Sequence, residues 1–168
     1  MSLSMYQASV TVFVRSLTAL SAILDKAAAD AEARGIDPSV FVGARLAPNM
    51  FPLARQVQIA ADTARNAAAN LAGVTPPSHP DTETTFPELK TRITTVLEYL
   101  KGFKPEQFEG AESRTVVMKM RTGDLSFAGA DYLLGFALPN LYFHAATAYD
   151  ILRHNGVAVG KRDFLGGI

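Results

Sequence analysis

The chain has 168 residues, of which 16 are basic and 16 acidic, with three histidines and no cysteine. A chain of this length can bury a complete core without disulfides, so we expect one domain over residues 1–168. The absence of cysteine excludes a thiolate-ligated zinc or iron–sulfur site, and the balanced charge without a basic tract argues against a nucleic-acid partner.

The most apolar early stretch, residues 10–24, is not typical of a signal peptide or a membrane span. It contains Arg15 and lacks both a basic start and a small-residue cleavage site, which argues against a signal peptide. It is also too interrupted to span a bilayer. We therefore expect a cytoplasmic protein with no membrane partner.

Glycine and proline divide the chain into four long blocks. The first block predicts a helix over residues 4–34 that ends at Gly35, because its apolar residues recur at alternating spacings of three and four. This stripe comprises Val10, Phe13, Leu17, Leu20, Leu24, Ala27 and Ala31. Asp37 and Pro38 then predict a helix cap that opens a short turn through Phe41.

The next two blocks also predict helices. Pro52 at the start and Gly73 at the end bound an alanine-rich helix whose thin face would let a neighbouring helix approach closely. Residues 74–84 are rich in proline, threonine and serine and predict a surface loop. Residues 85–88 fit a capping box, and the third helix that follows should end at Gly102.

The rest of the chain predicts a small hairpin and a fourth long helix. Residues 115–120 are β-branched and partly alternating, and residues 122–124 can turn the chain into a second strand at residues 125–127. Residues 130–155 are helical in pattern, with either a kink or a break just before Pro139. The tail from residue 157 should lie extended over the bundle surface. The predicted fold class is mainly α, with the hairpin before the last helix.

Three polar side chains lie at the boundary of the predicted core. His144 falls on the inward stripe of the last helix, Asn140 lies one turn before it, and Gln56 flanks the apolar stripe of the second long helix. Side chains placed in this way can converge on a ligand at one end of a helical bundle. The alternative is a buried histidine whose ring nitrogens are satisfied by an amide and a backbone carbonyl.

The other two histidines have structural interpretations. His79 lies in a Pro-Ser-His-Pro loop and is expected to be solvated. His154 lies in the last turn of its helix, where a partly protonated imidazole interacts well with the helix dipole. Three histidines in such different places are not expected to form one metal triad, and the sequence has no nucleophile elbow.

Four sequence segments carry a resemblance to a known family. They are residues 50–57 (MFPLARQV), residues 138–144 (LPNLYFH), residues 148–157 (AYDILRHNGV) and residues 160–166 (GKRDFLG). Together with the order of the elements, they resemble the DinB and YfiT-like superfamily, and within it an uncharacterised family of unknown function. The resemblance covers essentially the whole chain and implies an up-down four-helix bundle.

The resemblance also bears on metal binding. In metal-binding members of the superfamily, one histidine on the second helix and a His-x-x-x-His pair on the fourth hold a divalent ion, and some of these members are thiol-dependent transferases or hydrolases. Here the fourth-helix pair becomes Asn140 and His144, and Gln56 stands near the second-helix position. Because a carboxamide oxygen is a much weaker ligand than imidazole, we expect no metal cofactor.

Three functional hypotheses follow. The first is a DinB-like homodimer that keeps the former metal pocket as a metal-free polar cavity, where Asn140, Gln56 and His144 bind an unidentified small molecule. If this protein is an enzyme, neutral His144 is its general base. The second is a metal-dependent enzyme of the thiol-transferase type, with these three side chains and water as ligands. The third is a non-catalytic dimeric interaction module that uses the hairpin or the alanine-rich helix as its interface.

Overall fold

The protein folds as a bundle of four long helices, seen in a computed structural model that describes residues 3–119 and 123–167. The long helices are α1 (Val12–Arg34), α3 (Leu53–Ala72), α4 (Phe86–Lys101) and α6 (Leu138–His154). Three shorter helices accompany them, namely α2 (Pro38–Val42), α5 (Gly129–Tyr132) and α7 (Lys161–Phe164). A two-stranded antiparallel hairpin of β1 (Thr115–Met118) and β2 (Leu125–Ala128) precedes α5. The predicted mainly α bundle with a small hairpin is confirmed.

Helix α1 follows the predicted stripe. A π-helical turn at Gln7–Thr11 leads directly into it, and every residue of the stripe is buried. The helix ends where Gly35 adopts a left-handed conformation with φ of 62°, and the Gly35 N–H donates to the carbonyls of Ala31 and Glu32. A residue without Cβ adopts this conformation at little cost, which explains the stop.

By length and composition alone, the helical segment Gln7–Arg34 is apolar enough to cross a membrane. A core helix of a soluble bundle passes the same test, and the apolar stripe of this helix packs against the rest of the bundle. The absence of a membrane partner stays a prediction.

Helix α3 packs against both α4 and α6. Its alanines are buried on several sides, as a small side chain permits. The loop that follows leads to the predicted capping box, in which the Thr85 hydroxyl accepts from the Glu88 N–H and the Glu88 carboxylate accepts from the Thr85 N–H. Helix α4 therefore begins at Phe86, as expected.

The hairpin packs on the bundle through alternate side chains. Val116 pairs with Phe127 in the register and is buried, whereas Val117 and Leu125 are about half exposed. Of the residues predicted for the hairpin, Met120, Arg121 and Thr122 lie outside the described residues.

The predicted fourth long helix, which contains Pro139, neither breaks nor restarts there. The chain is helical from Gly129 to His154, and a π-helical turn at Leu133–Ala137 comes immediately before α6. Proline lacks an N–H and its ring collides with the carbonyl four residues earlier. The irregularity before Pro139 is this π turn, in which the Leu138 N–H donates to the Leu133 carbonyl five residues earlier.

The tail was predicted to be extended, and this is wrong in part. Residues 161–164 form α7, whose start is capped by Asp163 accepting from the Gly160 N–H at 2.8 Å. Lys26 of α1 forms an ion pair with the same Asp163 at 2.7 Å, and Val157 is buried in the core. A short-range cap together with these contacts with α1 accounts for the turn of helix.

Gly129 provides a test of packing where the hairpin meets α5. A Cβ at this position would lie 1.9 Å from the carbonyl oxygen of Ala111, although the backbone of Gly129 itself is not strained. We expect Gly129→Ala to lower the free energy of unfolding by about 1–2 kcal/mol, measured by chemical denaturation, because the Ala111 backbone must shift.

Gly135→Ala is the matched control, since a Cβ at Gly135 in the same helical segment meets nothing within 4 Å. It should leave stability unchanged or raise it, because alanine favours helix over glycine. Equal loss in both variants would contradict the packing argument.

Candidate functional site

Three polar pairs join α3 to residues 129–154, which we call the last helical segment. We call the three pairs the polar ladder and each pair one rung. Gln56 pairs with His144 at 2.7 Å, Thr63 with Asn140 at 2.7 Å, and Asn70 with Tyr132 at 3.1 Å. On α3 the three members are seven residues apart, which places them on one face of the helix. Because the two helices run antiparallel, the partners appear in reverse order along the chain.

The first pair defines the protonation of His144. Gln56 donates through Nε2 to the carbonyl oxygen of Phe51 at 3.0 Å, and this orients its Oε1 toward His144 Nδ1. An amide oxygen can only accept, so Nδ1 carries the ring proton and Nε2 keeps its lone pair. Gln56 is fully buried and His144 is 9% exposed.

Two effects lower the pKa of His144 below its ordinary value. Burial of the ring disfavours the charged form, and the positive charge of Arg55 adds to this. The ring of Phe143 packs edge-on against the imidazole, with the centroids 5.2 Å apart. His144 is therefore neutral near pH 7, with Nε2 as its basic atom.

Asn140 belongs to a different rung. Its Nδ2 donates to the hydroxyl of Thr63, which lies two helical turns beyond Gln56 on α3. The three residues predicted to share a site therefore occupy two neighbouring rungs, and only Gln56 and His144 are hydrogen-bonded to each other.

Asn140 lines a groove of about 420 Å³ between α3, β1 and the last helical segment. The wall residues on α3 are Arg55, Ile59, Asp62, Thr63, Asn66 and Asn70, and those elsewhere are Pro76, Val117, Met118, Lys119, Tyr132, Phe136 and Asn140. Two rungs of the polar ladder, those of Asn140 and Tyr132, thus open onto the groove. Gln56 and His144 are not among its wall residues, although Arg55 lies in both environments.

The comparisons with known proteins agree with this architecture. Residues 5–165 match the model of a domain of unknown function, DUF1993. The chain belongs to the DUF1993 family. The crystal structure of a DinB family member from Shewanella denitrificans superimposes on it with a TM-score of 0.90 at 46% sequence identity, over 97% of this chain and 92% of that one. No curated protein matches the DUF1993 chain.

The side chains of this DUF1993 protein do not fit the metal site that the superfamily implies. Both polar atoms of the Gln56 side-chain amide are used, Nε2 by Phe51 and Oε1 by His144. Asn140 uses its amide nitrogen to contact Thr63, and its carboxamide oxygen is a weak metal ligand. Only His144 Nε2 remains as a strong nitrogen ligand on these three residues. Within residues 3–119 and 123–167, no group of three or more His, Cys, Asp and Glu side chains is arranged to hold a metal ion.

A buried charge cluster holds the loop of residues 74–84 against α3 and α4, and sequence reasoning missed it. Arg92 of α4 is 3% exposed and donates to Asp62 at 2.8 Å, Asp81 at 2.9 Å and Glu83 at 2.9 Å. Burial alone lowers the pKa of Arg92, but the hydrogen bonds and charges of Glu83 and Asp62 together raise it by more. The pKa is therefore raised overall, and the guanidinium stays charged. One sequence signal was present, since Arg92 lies three residues after Leu89 on the inward stripe of its helix.

Asp62 and Asp81 connect this charge cluster to the groove. Asp62 also forms an ion pair with buried Arg65 at 2.8 Å, and Asp81 contacts Arg55. Asp62 and Arg55 are both groove residues. The charge cluster therefore fixes one wall of the groove.

His79 lies beside the same charge cluster and is not the freely solvated side chain that was predicted. It is half-buried, and its pKa is lowered by burial first and then by the positive charges of Arg65 and Arg92. The loop is anchored by Arg92, which is why its histidine is drawn against the bundle. His154 lies in the last turn of α6, as predicted.

The lowered pKa of His144 predicts how stability depends on pH. Above an ordinary histidine pKa of about 6.5, the imidazole is neutral in both the folded and unfolded states. As the pH falls below that value the unfolded state binds the proton first, so the free energy of unfolding falls until the pH reaches the lower pKa of the folded state. We expect His144→Asn to reduce this pH dependence in denaturant titrations between pH 7.5 and pH 5, values that span the histidine range.

His79 provides the comparison, because its pKa is also lowered. His79→Asn should remove a separate part of the dependence, and the double variant should remove both parts. An unchanged pH dependence in His144→Asn would show that the His144 ring is not held neutral by the fold.

Proposed function

We propose that this DUF1993 protein binds a small molecule in the groove between α3, β1 and the last helical segment. The observation that carries the proposal is the groove itself, whose volume of about 420 Å³ lies within the range of ligand sites and whose walls combine apolar and hydrogen-bonding side chains. Asn140 is the predicted ligand-binding residue that lies in it. Gln56 and His144 form the neighbouring rung outside the groove wall, and Nε2 is the His144 ring atom left free to accept a proton.

Blocking the groove tests the proposal. Fragment-sized acids, amides and alcohols would be screened by two-dimensional NMR, with the side-chain amides of Asn66, Asn70 and Asn140 as reporters. We expect bound fragments to shift these signals in the parent protein and not in Ile59→Trp, in which the indole fills the groove. Val40→Trp on α2 is the control, because Val40 is exposed and outside the groove. The absence of any fragment that shifts the three amides would overturn the proposal.

The proposed site works without a metal ion. Elemental analysis of the purified protein beside His144→Ala tests this point, and we expect no stoichiometric zinc, nickel, iron or manganese in either. Near-stoichiometric metal that is lost in His144→Ala would favour the metal-dependent transferase instead.

A homodimer is the second proposal, and the exposed hairpin supports it. Val117 and Leu125 of the hairpin and Leu134 of the π-helical turn after α5 are large apolar side chains, exposed by 50%, 49% and 64%. Sedimentation velocity of the parent protein and of Leu125→Lys with Leu134→Lys tests the interface. We expect the parent protein to sediment as a dimer and the double variant as a monomer, and a monomeric parent would contradict the proposal.

A further inference from the structure

Two hydrogen-bond donors on the groove walls have no acceptor among the described residues, so they suit a ligand that accepts hydrogen bonds. The hydroxyl oxygen of Tyr132 accepts from Asn70, but its own hydrogen has no acceptor among the described residues. Tyr132 is only 3% exposed, so this donor lies in a buried position and faces the groove. Burial raises the pKa of Tyr132, which keeps the hydroxyl protonated and able to donate.

Asn66 supplies a second open donor. Its Oδ1 accepts from Arg65 Nε at 3.2 Å, and this orients its amide nitrogen away from Arg65. Within residues 3–119 and 123–167 that nitrogen has no acceptor. Both donors face the groove with no acceptor from the described residues, so a ligand that brings oxygen atoms could accept from them.

The charges on the walls favour an anion. Asp62 is the acidic wall residue, and its carboxylate already contacts both Arg92 and Arg65 at 2.8 Å. Lys119 is on the wall and forms no ion pair with any residue in the described part of the chain. Ile59, Met118 and Phe136 add an apolar surface beside these groups.

We propose that the groove binds a small carboxylic acid, with the carboxylate accepting from Tyr132 and Asn66 near Lys119 and with an apolar body against Ile59 and Phe136. This inference rests on the proposed function. It adds the chemical class of the ligand, because the two open donors and Lys119, which has no ion pair in the described part of the chain, suit an anionic acceptor. Charge-assisted hydrogen bonds are the strong ones. The apolar wall distinguishes such an acid from inorganic phosphate, which has no body to bury.

Three probes test the class of ligand, each followed by NMR at the three asparagine side-chain amides. They are 3-phenylpropionate, the neutral 3-phenylpropionamide and inorganic phosphate. We expect the acid to bind at least five-fold more tightly than the amide or phosphate. Lys119→Met should weaken the acid several-fold and leave the amide unchanged, because only the acid is charged. Tyr132→Phe should weaken the acid several-fold, whereas Tyr99→Phe, outside the groove, should have no effect.

The remaining outcomes separate the proposed ligand class from the proposed binding site. If the amide binds in the groove as well as the acid does, the ligand class is wrong and the groove remains a binding site. Tighter binding of phosphate than of the acid would likewise overturn the need for an apolar body. If no probe shifts the asparagine amides, the inference fails, and failure of the wider fragment screen as well would remove the binding site itself.

Discussion

Replacing Arg92 with methionine should lower the free energy of unfolding by about 3 kcal/mol. The substitution keeps most of the side-chain volume but leaves Asp62, Asp81 and Glu83 without the cation that they share. The Arg92 side chain is 1% exposed and its three carboxylate partners are 14–37% exposed, so water replaces the lost hydrogen bonds only in part. Chemical denaturation measures the loss directly.

The same variant should loosen the loop of residues 74–84. Arg92 also donates to the carbonyl oxygen of Pro80, so the loop loses both its ion pairs and a backbone contact. Amide hydrogen exchange in this segment should become faster than in the parent protein, because local opening costs less free energy.

Lys90→Met on the same helix is the matched control. Lys90 pairs with Asp25 at the surface, where the two side chains are 35% and 58% exposed. Exposed ion pairs contribute little, so the loss should be at most about 1 kcal/mol. An equal loss in Arg92→Met and Lys90→Met would show that the charge cluster does not stabilise the fold.

Replacing Gln56 with leucine should have the second largest effect, a loss of about 2 kcal/mol. It removes the acceptor of His144 Nδ1 and the donor to Phe51 within one buried position. The freed imidazole should also populate both neutral tautomers, which nitrogen chemical shifts of the ring report. A ring that keeps its proton on Nδ1 in this variant would contradict the assigned role of Gln56.

Gln56→Glu separates charge from packing at the same position. The carboxylate can still accept from Nδ1, and its negative charge should raise the pKa of His144 above that of the parent protein. Thr63→Val, which removes only the partner of Asn140, should leave the titration of His144 unchanged. Together the two variants test whether the first rung of the polar ladder is electrostatically independent of the second.

The polar ladder shows what sequence reasoning reached and what it missed at the site. His144 was predicted to face inward, and it is buried; Gln56 was placed at the core boundary, and it is the partner of His144. Thr63 and Asn70 were overlooked among the alanines of α3. Their seven-residue spacing from Gln56 was the available signal, because polar residues at that period lie on one helical face.

The sequence by itself determined the four long helices and their order, because these depend on contacts within a few residues. The stripe of α1, the stop at Gly35 and the capping box of α4 are local features of this kind. Only the tertiary structure decided which polar groups meet. Arg92 reaches a loop about ten residues earlier and a helix thirty residues earlier. Asn140 pairs with Thr63 rather than His144 because antiparallel packing sets the register of two whole helices, and no spacing within one helix encodes that register.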